Sequence, residues 1–216
     1  MAIEIKSLMR QKNGQDYKSY SVRGNRDRVF YPAEWKRTID AMKDYQKLNF
    51  KTLMIAGTRV NELRNVRVED NDFINQRMII RVTKGRTNKE TNIKKSKTRT
   101  IRISSELCRE LKRYIGENNL QPSDYIFHLT TSALNQSLKK ALRKAGIKDW
   151  QMFSIHNIRK TAETWALAMD IDSLKLSKRF GHNMITMYEH YSQSDVYTFK
   201  EKDEIKKILG DTYSNL

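Results

Sequence analysis

The chain has 216 residues, 38% of them hydrophobic, which is enough to bury a core in one large or two small domains. Lys and Arg number 42 against 25 Asp and Glu, for a formal charge of +17 spread along the whole chain, which points to a polyanion as partner. No apolar run approaches the roughly 18 residues of a spanning helix, and the opening MAIEIKSLMRQK lacks the apolar stretch of a signal peptide, so a soluble cytoplasmic protein with no membrane partner is expected.

In chain order, residues 1–30 are polar, basic and weakly periodic, and GQDYKSYSVRGNRDR reads as a basic arm or extended lead-in. Pro32 suits a first helical turn, and Trp35, Ile39, Met42 and Tyr45 or Gln46 follow at helical spacing to about Asn49. FKTLMIA and VNELRNV read as two short helical pieces that meet at GTR, with Gly57 as the break. From Asp72 the period changes: FINQRMIIRV and TRTIRI alternate as a half-buried antiparallel pair, joined by the basic loop TKGRTNKETNIKKSK. Beyond it the pattern is helical: Ser104 or Ser105 caps a helix to about Gly116, Thr131 one that stops at Gly146, Ser154 one through Met169, and Asp172 one ended by Gly181. SDVYTFKEKDEIKKILG forms the last helix, finished by Gly210. Cys108, the lone cysteine, excludes an internal disulfide and a CxxC zinc site, and its apolar helical setting reads as a buried structural thiol.

Two short stretches carry chemistry. SIHNIRK sets His156 and Arg159 three apart on one helix face, a guanidinium fork beside an imidazole, which suits a phosphate. GTRVNEL sets Arg59 at the junction of two helical pieces with Glu62 three residues on to hold it. Near the C-terminus GHNMITMYEHYSQ gathers two of the four histidines and two tyrosines, Tyr188 and Tyr191. His128, between Phe127 and Leu129, reads as structural.

The order of these stretches, GTRVNEL, a strand ending in VTKG, HNIR, RFGH and a tyrosine nine residues past that histidine, resembles the tyrosine recombinases, or phage-type integrases. GTRVNELRNVRVED looks like their first arginine motif, and FSIHNIRKTAETWALAMDIDSLKLSKRFGHNMITMYEHYS like their second block. The resemblance covers about Pro32 to Leu209. It implies an α+β fold, a mainly helical catalytic domain with a small antiparallel sheet or hairpin on one side, over residues 31–216. It implies that Arg59 and Arg159 grip the scissile phosphate, that His156 and His182 accompany them, and that Tyr191 is the nucleophile, with Tyr188 as a packing neighbour or the less favoured alternative. The lysine of the family falls just after the first hairpin strand, at Lys84; counting back from the second strand gives Lys97 or Lys95 instead. Asn157 and Lys160 depart from the Asp and His common in the second block and carry no core chemistry.

What the resemblance implies about function is site-specific strand cleavage and rejoining of double-stranded DNA through a 3′-phosphotyrosine, with dimers or tetramers forming on the DNA in the nucleoid. A tyrosine hydroxyl with its ordinary pKa near 10 needs a positive field to attack at neutral pH. Donors fixed where charge develops contribute on the order of 3 to 4 kcal/mol each. No acidic cluster or Gly-rich loop marks a metal or nucleotide site, so no cofactor is expected. The alternatives are a type IB topoisomerase-like or resolvase relative and a catalytically silent DNA-binding regulator of the same fold. Family members usually carry a separate N-terminal clamp domain, so the chain reads as a catalytic fragment, with 1–30 as linker, or as a minimal recombinase. The helix after the tyrosine is expected to swap onto a neighbour or to fold back.

Overall fold

The computed structural model describes residues 28–82, 98–181 and 197–214 in full, and the backbone of four short strands before them. Those strands are β1 (Lys6–Leu8), β2 (Gln11–Lys12), β3 (Gln15–Asp16) and β4 (Tyr20–Val22). β1 pairs antiparallel with β4, and β2 with β3, so the segment read as an extended arm contains two short ladders.

Among the described residues, Arg28 is already buried, three residues before the Tyr31 from which the domain was expected. Val29 and Phe30 are wholly buried, and the backbone around them is strapped to a central helix α6 (Ile155–Ala168). The Phe30 N–H donates to Thr161 Oγ1 at 3.0 Å, its carbonyl accepts from Trp165 Nε1 at 3.1 Å, and the Arg28 carbonyl accepts from Asn157 Nδ2 at 2.7 Å. Arg28 itself is buried between Glu34 (2.6 Å) and Asp149 (2.8 Å). Two apolar residues flanked by charge carry too little periodicity to be read as core from sequence.

The expected helix from Pro32 to Asn49 is two helices, α1 (Pro32–Asp40) and α2 (Asp44–Ala56). The split has a packing cause: α1 lies on α5 (Thr131–Lys144) and α8 (Phe199–Leu209), whereas α2 lies on α6 and α4 (Ser105–Glu117), and Met42 turns inward between them. A single straight helix could not reach both sets of neighbours. α2 ends at Gly57, whose φ of +61° is left-handed, and α3 (Val60–Leu63) follows after Thr58 and an extended Arg59. The expected break at GTR is where the chain turns.

Three strands form the sheet in the order β5 (Asn71–Asp72), β6 (Arg77–Arg81), β7 (Thr98–Arg102), all antiparallel. The first expected strand is shorter than FINQRMIIRV because Asp72 captures the next turn: its carboxylate accepts from the N–H groups of Ile74 (3.1 Å) and Asn75 (3.0 Å) and from Asn75 Nδ2 (2.7 Å). Opposite pairs Met78–Ile101 and Ile80–Arg99 point to the core side.

The helical half follows the sequence closely. Ser104 caps α4, Ser154 precedes α6, and Asp172 caps α7 (Ser173–Phe180), which ends at left-handed Gly181. At α5 the cap shifts by one, to Thr130, and the last helix is capped at Thr198, inside the expected stretch SDVYTFKEKDEIKKILG. α6 is buried on nearly every side, against α2, α5, α7 and α8. α8 folds back onto this domain through buried Ile205 and Leu209, and Asp211 behind it accepts from the Ser105 N–H at 2.7 Å. Cys108 is buried, and burial pushes its thiol pKa up. His128, expected to be structural, is exposed, while its neighbours Phe127 and Leu129 pack toward the core. Among the described residues no helix is long and apolar enough to cross a membrane, and no cluster of three His, Cys, Asp or Glu could hold a metal.

Candidate active site

Two helix ends meet at one place. The C-terminus of α2 and the C-terminus of α7 both finish in left-handed glycines, Gly57 and Gly181, and the Phe180 ring lies directly on Gly57 where a side chain would otherwise stand. Helix C-termini leave carbonyls without intrahelical partners and carry partial negative charge. Three arginines answer them. Arg159, from the second turn of α6, donates from Nη1 to the Gly57 carbonyl at 2.7 Å and from Nη2 to the Phe180 carbonyl at 2.6 Å. Arg179 donates to the Ile55 carbonyl at 2.8 Å, and Arg99 of β7 donates from Nε to the Arg179 carbonyl at 2.9 Å.

A cleft of about 470 Å³ opens at this junction, lined by Thr58, Arg59, Val60, Asn61 and Glu62 from the α2–α3 turn, by Ile155, His156 and Arg159 from α6, and by Val82, Thr131 and Gly181. Arg59 and Arg159, one hundred residues apart in the chain, thus line the same cleft. His156 stands beside them, exposed on the face of α6 that the i, i+3 spacing predicts.

The two arginines are held differently. Arg159 is 3% exposed, with Nε 3.1 Å from Glu163, one turn on along α6. Burial lowers its pKa, and the neighbouring Arg59 and Arg99 charges add to that effect, while Glu163 and Glu62 oppose it; the result is about 10, so the group stays charged at neutral pH. Arg59 is 41% exposed and precedes α3 in an extended conformation. Glu62, 1% exposed, receives the Arg59 N–H at Oε2 (3.0 Å) and Arg59 Nη1 at Oε1 (2.9 Å), as the spacing GTRVNEL implies.

The same carboxylate also takes a fork from Arg99, with Nη2 to Oε2 at 2.7 Å and Nη1 to Oε1 at 3.2 Å. Burial alone would push the Glu62 carboxyl up, but the Arg99 fork and the Arg59 backbone and side-chain donors outweigh it and hold the pKa at about 2. Arg99 is the partner of Glu62 that the motifs miss. Its signal is the strand register: in TRTIRI it shares the inward face with Ile101, and a charge on a core-facing register demands a buried partner.

Of the remaining candidates, Lys84, the alternatives Lys95 and Lys97, His182, Tyr191 and Tyr188 lie outside the described residues. Along the chain Lys84 stands two positions past Val82 and His182 one past Gly181, and both of those residues line the cleft. Asn157 is buried beneath the site, where it accepts from the Ser154 N–H at 2.7 Å and fixes the start of α6.

The pattern of the phage integrase family matches residues 28–197, up to the residue before the Thr198 cap of the last helix. The chain belongs to the phage integrase family. As such it is similar to a tyrosine recombinase of Pseudothermotoga lettingae, at 24% identity over 96% of this chain and 70% of that protein, and to the tyrosine recombinase XerA of Pyrococcus furiosus, at 28% identity over 82% of this chain and 60% of that one. Against the XerH recombinase of Campylobacter jejuni it spans 52% of the relative's length. This integrase-family domain shares its fold with the crystal structure of XerA recombinase (TM-score 0.64, 22% identity, 83% of this chain and 64% of that one). The same holds for XerH site-specific recombinase bound to its difH substrate (TM-score 0.59, 20% identity, 75% and 48%) and for the Tn1549 transposon integrase in complex with transposon right end DNA (TM-score 0.61, 19% identity, 85% and 66%).

Proposed function

We propose that this domain cleaves and rejoins DNA strands site-specifically, with Tyr191 as nucleophile and a 3′-phosphotyrosine as intermediate. The observation that carries the reading is the convergence of Arg59 and Arg159, with His156, on the wall of one cleft. Two cationic forks from distant parts of the chain suit a phosphodiester, whose negative charge rises as the attacking oxygen adds to phosphorus. Double-stranded DNA fits the charge of +17 as partner, and related folds are described in complex with DNA.

In this mechanism the Tyr191 hydroxyl loses its proton within the positive field of the site and its oxygen bonds to phosphorus. The bond from phosphorus to the 5′ oxygen breaks, and that oxygen takes a proton from Lys84, or from Lys95 or Lys97. His182 donates a hydrogen bond to a phosphate oxygen. The phosphotyrosine conserves the bond energy, so a 5′-hydroxyl of another strand reverses the step with no ATP and no metal-bound water. Self-association on DNA, in the cytoplasm and at the nucleoid, belongs to the same proposal.

The test is covalent capture. The protein is incubated with a pool of nicked duplexes of randomised core, in which the fragment past the nick diffuses away and traps the adduct. An SDS-resistant adduct is expected, with peptide mass placing the DNA on Tyr191 and none from Tyr191→Phe. An undiminished adduct from Tyr191→Phe would overturn the assignment.

A further inference from the structure

Arg99 has no place in either arginine motif, yet it touches both halves of the site. Its Nη atoms fork onto Glu62, the carboxylate that holds Arg59, and its Nε donates to the carbonyl of Arg179. The next carbonyl, that of Phe180, is taken by Arg159. Two successive carbonyls at the end of α7 are thus clamped by two different guanidiniums, just ahead of Gly181 and His182. Arg99 is only 11% exposed and lies on the hairpin strand opposite Ile80, at the far end of the segment that carries Lys84, Lys95 and Lys97.

We infer that Arg99 is a positioning residue for strand cleavage: it sets Arg59, through Glu62, in register with the α7 end from which the chain runs on to His182 and Tyr191. This rests on the reading of the cleft as a DNA-cleaving site. The chemistry selects arginine. Only a planar fork with a third donor on Nε can hold both carboxylate oxygens on one edge and a carbonyl on another, whereas a lysine offers one nitrogen. Because Glu62 is buried, its charge also needs this second cation; Arg59 alone is two-fifths exposed and must present its head to the cleft.

The experiment uses the full chain and a duplex recovered from the randomised nicked pool as a wild-type substrate. Single-turnover adduct formation at saturating DNA, DNA affinity by anisotropy, and Tm are measured for wild type, Arg99→Ala and Arg99→Lys. Displacing a catalytic group by about 1 Å costs about 10²-fold, so Arg99→Ala is expected to lower the cleavage rate by about that factor. Its DNA Kd should stay within about threefold of wild type, and added guanidinium ion should restore part of the rate, because Arg59 and Arg159 remain in the cleft lining. If Arg99→Ala fails to fold, Arg99→Lys decides, since it keeps a cation beside Glu62 but loses the bond to the Arg179 carbonyl; slowed cleavage with unchanged Kd supports the inference. A wild-type cleavage rate in either folded variant overturns it. So does a loss of rate that merely follows the unfolded fraction and is unmoved by guanidinium. If wild type itself forms no adduct with any member of the pool, the DNA-cleavage reading falls first and this inference with it.

Discussion

Gly57 is the position where one added methyl should do the most damage. Its φ of +61° is left-handed, which costs an alanine about 1 to 2 kcal/mol. A Cβ there would overlap Cε1 of Phe180 outright, with Cδ1 and Cζ at 2.8 and 2.9 Å. The ring cannot swing away, because Phe180 is wholly buried, and overpacking of this kind adds about 1 to 3 kcal/mol. Gly57→Ala should therefore destabilise the domain by about 2 to 5 kcal/mol, a large part of the 5 to 15 kcal/mol that folded domains have. At about 2 to 4 °C per kcal/mol for a chain of this size, Tm should fall by about 4 to 20 °C in a thermal melt followed by circular dichroism. A double-mutant cycle separates the two terms: in the Gly57→Ala background, Phe180→Leu should cost less than it does in wild type, because it relieves the clash while leaving the backbone strain. A Gly57→Ala protein that melts within a degree of wild type, or a cycle with no coupling, would refute the close approach of α7 to the α2–α3 turn and with it the shared cleft.

Arg159→Lys, although it keeps the charge, leaves the Gly57 and Phe180 carbonyls and Glu163 to a single ammonium; adduct formation on the nicked pool should fall about 10² to 10³-fold, and a loss below tenfold would show that the fork is dispensable. The Glu62 carboxyl, held at about 2 in the folded protein, lies below its ordinary value of 4.5, so its ionised pairing with Arg99 and Arg59 stabilises the fold at neutral pH and is lost as pH falls through the window from 4.5 to 2. Urea midpoints measured from pH 6 to pH 2 should drop more steeply for wild type than for Glu62→Gln, and equal slopes would count against the buried carboxylate.

How much of this was legible beforehand depends on the range of each signal. Caps and stops are local, so Ser104, Ser154, Asp172, Gly57 and Gly181 mark the helix ends where the structure has them. The pairing of Arg59 with Glu62 is likewise a three-residue relation, readable in GTRVNEL. The split between α1 and α2 is not local: nothing in AMKD breaks a helix, and only the separate neighbours of the two pieces decide it. The strapping of Phe30 across α6 spans more than 130 residues and left no periodic trace. Arg99 lies between these cases. Its inward register was visible in TRTIRI, but its partner Glu62 stands 37 residues away, so the sequence posed the need for a counter-charge without naming it.

The arginines around the cleft are an expensive way to hold a fold together. Burying a guanidinium carries a desolvation penalty that apolar residues of similar volume would avoid, and buried ion pairs are weak evidence of stability. Their geometry explains the expense better. Arg159 bonds the end of α2 and the end of α7 with two arms of one rigid plane, so any shift of either helix end moves the guanidinium with it. Arg59 is tied to the same α7 end by a longer route, through Glu62 and Arg99 to the Arg179 carbonyl. The cleft therefore has two independent rigid links between the same pair of segments, which leaves the relative placement of Arg59 and Arg159 little freedom before any ligand arrives. Under the proposed DNA-cleaving function that preorganisation is a gain, because donors already in place need no rearrangement when charge develops on the phosphate.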